Sequence, residues 1–177
     1  DQEARDYLER AWKKGDPESA SLLGWMYETG RGVMGRKNTA ADRKAIEYYK
    51  QAADKGDKYA RGRLDNFIDS YKKAGDKGDG YAFYQLGDLT VTGYNGVKKG
   101  EDADWRAVEY YQQAAAKKDP DGMRALGRMY AQGRGGLPQD IAPDGEAVRW
   151  LKAAVEKGSE EAKVDLASLE VPAFGRT

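Results

Sequence analysis

The sequence predicts an all-α solenoid built from antiparallel helix pairs, and three observations predict it. A helix-forming block recurs along the chain at a period of about 40 residues. A second, glycine-marked block precedes it in each full unit. A short stop-and-cap dipeptide, most often Gly-Asp, separates the units.

The recurring helix appears as ARDYLERAWKKGD from Ala4, AIEYYKQAADKGD from Ala45, AVEYYQQAAAKKD from Ala107 and AVRWLKAAVEKGS from Ala147. A weaker copy, FIDSYKKAGDKGD, starts at Phe67. The closing positions are Gly15, Gly56, Gly78, Lys118 and Gly158, spaced 41, 22, 40 and 40 residues apart. Within a copy, Ala45, Tyr48, Tyr49 and Ala52 fall at i, i+3, i+4 and i+7, the spacing of an amphipathic helix. The aromatic positions Tyr48, Tyr49, Tyr110, Tyr111 and Trp150 are expected in the core. Gly15-Asp16 and Gly56-Asp57 supply a left-handed stop and then the cap of the next helix.

The preceding block reads Ala-x3-Leu-Gly-x2-Tyr-x2-Gly, around Leu23-Gly24-Tyr27-Gly30, Leu86-Gly87-Thr90-Gly93 and Leu126-Gly127-Tyr130-Gly133. A glycine inside a helix costs about 0.5–1 kcal/mol against alanine. Three at one register predict close helix–helix approach, with Ala52-Ala53 and Ala114-Ala115 as the matching small surface. Gly30 with Gly32, and Gly133 with Gly135, are expected to end the helix and turn the chain. Residues 58–79 are the irregular unit. They keep Ala60-x3-Leu64 but carry no Gly-x-Gly turn, so one helix from about Lys58 to Ala74 replaces the pair. The alternative is two short helices broken near Asn66. Residues 160–169 read as a final helix of the first type, and VPAFGRT as a tail.

These motifs resemble the Sel-1-like repeat, a relative of the tetratricopeptide repeat. LGWMYETGRGV followed by KAIEYYKQAADKG carries the likeness, which extends from Ala4 to about Leu169. Thr90 in place of Tyr, Gly122 and Ser19 in place of Ala, and Lys118 in place of Gly depart from the pattern. The resemblance implies a right-handed superhelix. The expected organisation is a single domain over 1–170 with units at about 1–16, 17–57, 58–79, 80–119, 120–159 and 160–170, then a tail over 171–177.

Composition excludes several activities. The chain has no Cys and no His. Thiolate nucleophiles, cysteine zinc sites and histidine general bases are therefore absent. No cofactor and no metal are expected. The segments GEDADW and QDIAPDGE lack the calcium-loop ligand spacing, and Gly-x-Gly lacks the strand context of a phosphate loop. Lys+Arg and Asp+Glu both total 30, which argues against a nucleic-acid surface. No run of 18 apolar residues spans a membrane. The chain opens without Met inside a helical pattern, and we read it as trimmed, with room for a targeting segment upstream.

The candidate site follows from what the repeat does not specify. Ser21 and Trp25, Tyr84 and Asp88, Arg124 and Arg128 lie four apart on one face of successive first helices. Glu28, Val91 and Ala131 follow about one turn on. In helical solenoids the first helices line the concave surface where partners dock, and Trp, Tyr and Arg are enriched at binding hot spots. For Trp25, packing on the neighbouring unit weighs equally with exposure. The expected function is a non-catalytic scaffold that binds a protein or peptide. Two other readings stay open: an immunity or inhibitor protein that neutralises a bacterial effector, and an envelope glycan-related enzyme or accessory factor using a carboxylate pair. The resemblance implies a bacterial periplasmic or envelope location, with the cytoplasm as the alternative.

Overall fold

The structure, a computed structural model, describes residues 2–30 and 39–170. Among them are nine helices and no strand: α1 (Gln2–Lys13), α2 (Pro17–Thr29), α3 (Thr39–Asp54), α4 (Lys58–Asp76), α5 (Gly80–Val91), α6 (Glu101–Ala116), α7 (Pro120–Gln132), α8 (Glu146–Glu156) and α9 (Glu160–Glu170). Two compact units are described in turn, Asp1–Phe67 and Ile68–Thr177. Gly32, most of the loop that follows it and the VPAFGRT segment lie outside the described residues.

The stop-and-cap dipeptide has the same geometry five times. Gly15, Gly56, Gly78 and Gly158 have φ of 97°, 91°, 88° and 92°, and Lys118 follows them at 61°. Beyond each, the next residue's amide donates back to an alanine carbonyl five residues earlier: Asp16 to Ala11, Asp57 to Ala52, Asp79 to Ala74, Asp119 to Ala114 and Ser159 to Ala154, at 3.0–3.2 Å. This is a Schellman closure, which satisfies carbonyls the helix end would leave orphaned. The same residue then caps the following helix. Asp16 accepts from Ser19 N at 3.1 Å, Asp57 from Ala60 N at 3.1 Å, Asp119 from Gly122 N at 2.8 Å and Ser159 Oγ from Ala162 N at 3.2 Å.

Residues 58–76 form one unbroken helix of 19 residues, as the missing turn predicts, with no break at Asn66. The boundary between the two units falls within it, between Phe67 and Ile68. In the first unit α2 packs on α3 and α1 on α2. Leu23, Ala45, Tyr49, Ala52 and Leu64 are fully buried there. In the second unit α5 pairs with α6 and α7 with α8, while α7 also touches α6 and α5, and α9 closes on α8. Leu126 and Leu151, at 1% exposure, join Met129, Val108 and Ala154 in its core. Burial of each leucine contributes about 2 kcal/mol.

The helix glycines do mark close approach, but against rings rather than alanines. A Cβ on Gly24 would lie 2.7 Å from Cδ1 of Tyr49, and one on Gly87 would lie 2.7 Å from Cδ1 of Tyr111. Gly127 meets Leu151 instead, at 2.9 Å. The expected Ala114 surface has another partner, Gly122: a Cβ there would overlap that of Ala114, which explains why the repeat's leading alanine is lost at this position.

The aromatic pairs also divide. Tyr49 and Tyr111 are buried, at 0% and 5% exposure. Tyr48, Tyr110 and Trp150 are only half-buried, so the expectation that all five are core is corrected. Four residues after the inward-facing alanine returns to the buried stripe, whereas three residues lands at its edge.

Candidate functional site

Two of the three first helices that carry the variable residues, α5 and α7, pack against each other in the second unit. Between them, with α6 behind, is an open depression of about 170 Å³. Tyr84, Asp88 and Val91 line it from α5, Tyr111 from α6, and Arg124, Arg128 and Met129 from α7. Four of the expected site residues thus share one surface feature. Asp121, Gln132 and Arg134 also reach it, and the variable-position argument did not select them. Ala131, next to Gln132, does not line it.

The arginines differ in what holds them. Arg124 Nε donates to Asp165 Oδ2 of α9 at 2.5 Å. Arg134 forms a two-pronged pair with Asp104, Nε to Oδ2 at 2.8 Å and Nη2 to Oδ1 at 2.5 Å. That pair holds the Arg134 guanidinium above its ordinary pKa. Arg128 is exposed, and no carboxylate among the described residues pairs with it. Bidentate and helix-bridging pairs fix side-chain direction. Arg124 and Arg134 are therefore walls of the depression, and Arg128 is its uncommitted cation.

Aromatic rings form the floor. Tyr84 and Tyr111 have centroids 6.2 Å apart, and Tyr81 lies 6.1 Å from Tyr84. Burial, then the charge of Asp88, raises the Tyr111 phenol above its ordinary pKa. It stays protonated at any physiological pH.

The first-unit residues are placed differently. Ser21 is 6% exposed, and its hydroxyl donates to Oδ2 of Asp57, the cap of α4. Glu28 is half-buried and fully engaged: Tyr49 Oη donates to its Oε2 at 2.8 Å, and Arg63 Nε donates to the same oxygen at 3.1 Å while Nη2 reaches Oε1. Ser21 and Glu28 therefore serve the internal bonding of this unit. Trp25 is half-buried.

The loop acids lie at helix starts, but none caps α6, whose N-cap is Gly100, through its side chain. Glu101, Asp102 and Asp104 stand in the first turn of α6, where the helix dipole favours negative charge. Asp140 accepts from Glu146 N at 2.8 Å and so ties the loop to the start of α8. Among the described residues no group of three acidic side chains could hold a metal ion, and no helix is long and apolar enough to cross a membrane.

Comparison with known proteins agrees with this architecture. The Sel1 repeat matches residues 17–57, 81–119 and 120–159. A Sel1 repeat protein from Oxalobacter formigenes is 30% identical, with a TM-score of 0.51 over 95% of this chain and 69% of that one. The fold is also that of c5321, a protective antigen of uropathogenic Escherichia coli, at 22% identity and a TM-score of 0.50, covering 93% of this chain and 36% of that protein. No curated protein matches the chain significantly. Three matched repeats over most of the sequence, in the same register as the helix pairs, show that the chain belongs to the Sel1 repeat family.

Proposed function

We propose that this chain is a non-catalytic interaction scaffold that docks a partner protein or peptide in the depression between α5 and α7. Sel1 repeat proteins generally mediate protein–protein interaction. The observation that carries the reading is convergence: Tyr84, Asp88, Arg124 and Arg128, variable positions of two successive repeats, line one depression. Its volume, about 170 Å³, is below the roughly 300–1,000 Å³ of small-molecule sites. An open hollow of that size fits a single anchoring side chain, as at the centre of a protein interface. Trp25, half-buried on α2, is a secondary contact in this proposal. The setting we favour is bacterial, in keeping with the two bacterial structural relatives, and within it the envelope, on the family resemblance.

Arg128→Glu tests the docking site. The residue is exposed and unpaired, so its reversal leaves the melting temperature within about 1 °C. Capture of the native partner from lysate, identified by mass spectrometry, should fall at least tenfold, since charged hot-spot contacts contribute about 2 kcal/mol or more. Undiminished capture by the folded variant would place the binding surface elsewhere.

A further inference from the structure

The helix α1 is of the second type and α9 of the first. ARDYLERAWKK, from Ala4, repeats the pattern of α3, α6 and α8, while Ala162-x3-Leu166 in α9 repeats that of α5. In the full copies a first-type helix covers the second helix: α2 packs on α3, α5 on α6 and α7 on α8. The covered stripe, Ala45, Tyr49 and Ala52 in α3 or Ala107, Tyr111 and Ala114 in α6, is buried. The same stripe of α1 is Ala4, Leu8 and Ala11. Ala4 is exposed, Leu8 and Ala11 are half-buried, and no residue of α1 is buried. Among the described residues no first-type helix precedes α1.

The converse holds for α9. Gly24, Gly87 and Gly127 stand in the register that meets the second helix, and in α9 that register is Ala167, which is exposed. Leu166, in the register of the buried Leu86 and Leu126, is only half-buried. Val164, in the register of Arg124, is 70% exposed, whereas Arg124 reaches Asp165 of the next first-type helix. Each bare face thus lacks what the other provides. Their ends also carry opposite charge. In the second unit the first turn of α5 lies against the last turn of α6, where a Cβ on Gly80 would be 2.9 Å from Cβ of Lys117. In those two registers α9 has Glu160 and α1 has Lys14. Glu161 adds an acid to the first turn of α9, and Arg10 and Lys13 add cations to the last turn of α1. Glu160 meets Lys163 one turn on, an exposed pair of a kind that contributes little and exchanges readily.

We propose that α9 of one copy seats on α1 of a second copy and completes a helix pair across the contact, with Ala167 against Leu8 and Glu160 beside Lys14. The occupant is a second copy because this chain carries both halves of the pair, in matching registers and with complementary charge at the ends that meet. Val164 then turns toward α2 of the second copy, as Arg124 turns toward α9. The contact is heterologous, since each copy contributes a different face. A Cβ on Gly127 would lie 2.9 Å from Cγ of Leu151, so Ala167 sets this pair slightly wider than the pairs within the chain. A contact of so few helices falls below the roughly 1,200 Å² of stable interfaces, so the association is weak and depends on concentration. It uses no residue of the hollow between α5 and α7.

Sedimentation equilibrium of the whole chain tests this, over about 10 μM to about 1 mM, the range of weak complexes. The average mass should rise with concentration above that of one chain. Ala4→Glu blocks the α1 face and Ala167→Glu the α9 face; both positions are exposed, so each variant keeps its melting temperature within about 1 °C. Either variant alone should stay monomeric. Mixed, the two should form a one-to-one pair and nothing larger, because one intact face of each kind remains. Lys14→Glu should weaken the association severalfold, and adding Glu160→Lys should restore it. Arg128→Glu, in the hollow, should leave it unchanged. A parent chain that stays monomeric overturns the proposal and assigns the α1 face to another segment or another protein. Association that survives either face variant, a mixture that does not pair, or an equal loss in Arg128→Glu overturns it as well.

Discussion

At the scale of single residues, the closing register carries the clearest consequence. Five residues there take positive φ, and Lys118 alone among the described residues does so with a side chain. A left-handed conformation costs an L-residue about 1–2 kcal/mol. Glycine avoids that cost but loses about 0.5–1 kcal/mol more entropy on folding. Lys118→Gly should therefore raise stability by about 0.5–1 kcal/mol, a shift of about 2 °C in a thermal melt. A lowered melting temperature would show that the Lys118 side chain makes a compensating contact. Ser21 gives a second residue-scale consequence. Its hydrogen bond is the foremost cause holding the Asp57 carboxyl below the usual range, ahead of the two capping amides. A depressed native pKa contributes stability above the unfolded pKa, near 3.8, and loses it as pH falls through the native value. Ser21→Ala should accordingly lower the melting temperature at pH 7. The gap from the parent should close as pH falls below 3.8 and through the lowered native value.

At the scale of elements, α4 is the departure from the helix-pair rule. Its 19 residues bury Ala60, Leu64, Ile68 and Tyr71, an i, i+4, i+8, i+11 stripe that one straight helix keeps on a single face. A Gly-x-Gly insertion after Asp65 would rotate Ile68 and Tyr71 off that stripe and add glycines of low helix propensity. Urea denaturation of that variant should show a loss of at least about 3 kcal/mol. An unchanged midpoint would mean that the two halves of α4 fold without a shared face. The Gly-to-ring contacts belong to this scale too. Gly24 and Gly87 let a whole tyrosine ring lie against the neighbouring helix, a closeness that an alanine would obstruct.

At the scale of the molecule, the copies diverge where the fold leaves them free to. Tyr49 and Tyr111 keep their place in the packing, while the position opposite changes from Glu28 to Val91. One copy thus has its polar network closed, and the other has it open at a surface hollow. The chain's charges balance overall.

The repeat period, the order of the helices among the described residues, the stop-and-cap geometry and the single helix starting at Lys58 were all legible in the sequence. Each is fixed by local chemistry: periodic apolar residues, backbone freedom at the closing position, capping carboxylates and the absence of a turn. The variable positions of α5 and α7 were legible as well, because whatever the repeat does not prescribe stands out against it. Tertiary structure decided the rest. It engaged Ser21 and Glu28 in internal bonds, set Tyr111 at the hollow as well as in the core, and brought Arg134 from a turn to the same hollow. Those outcomes turn on which side chains meet across helices, between residues 21 to 36 apart in the chain. No local rule of spacing contains that, because a hydroxyl's partner is set by the packed neighbour and not by its own sequence context.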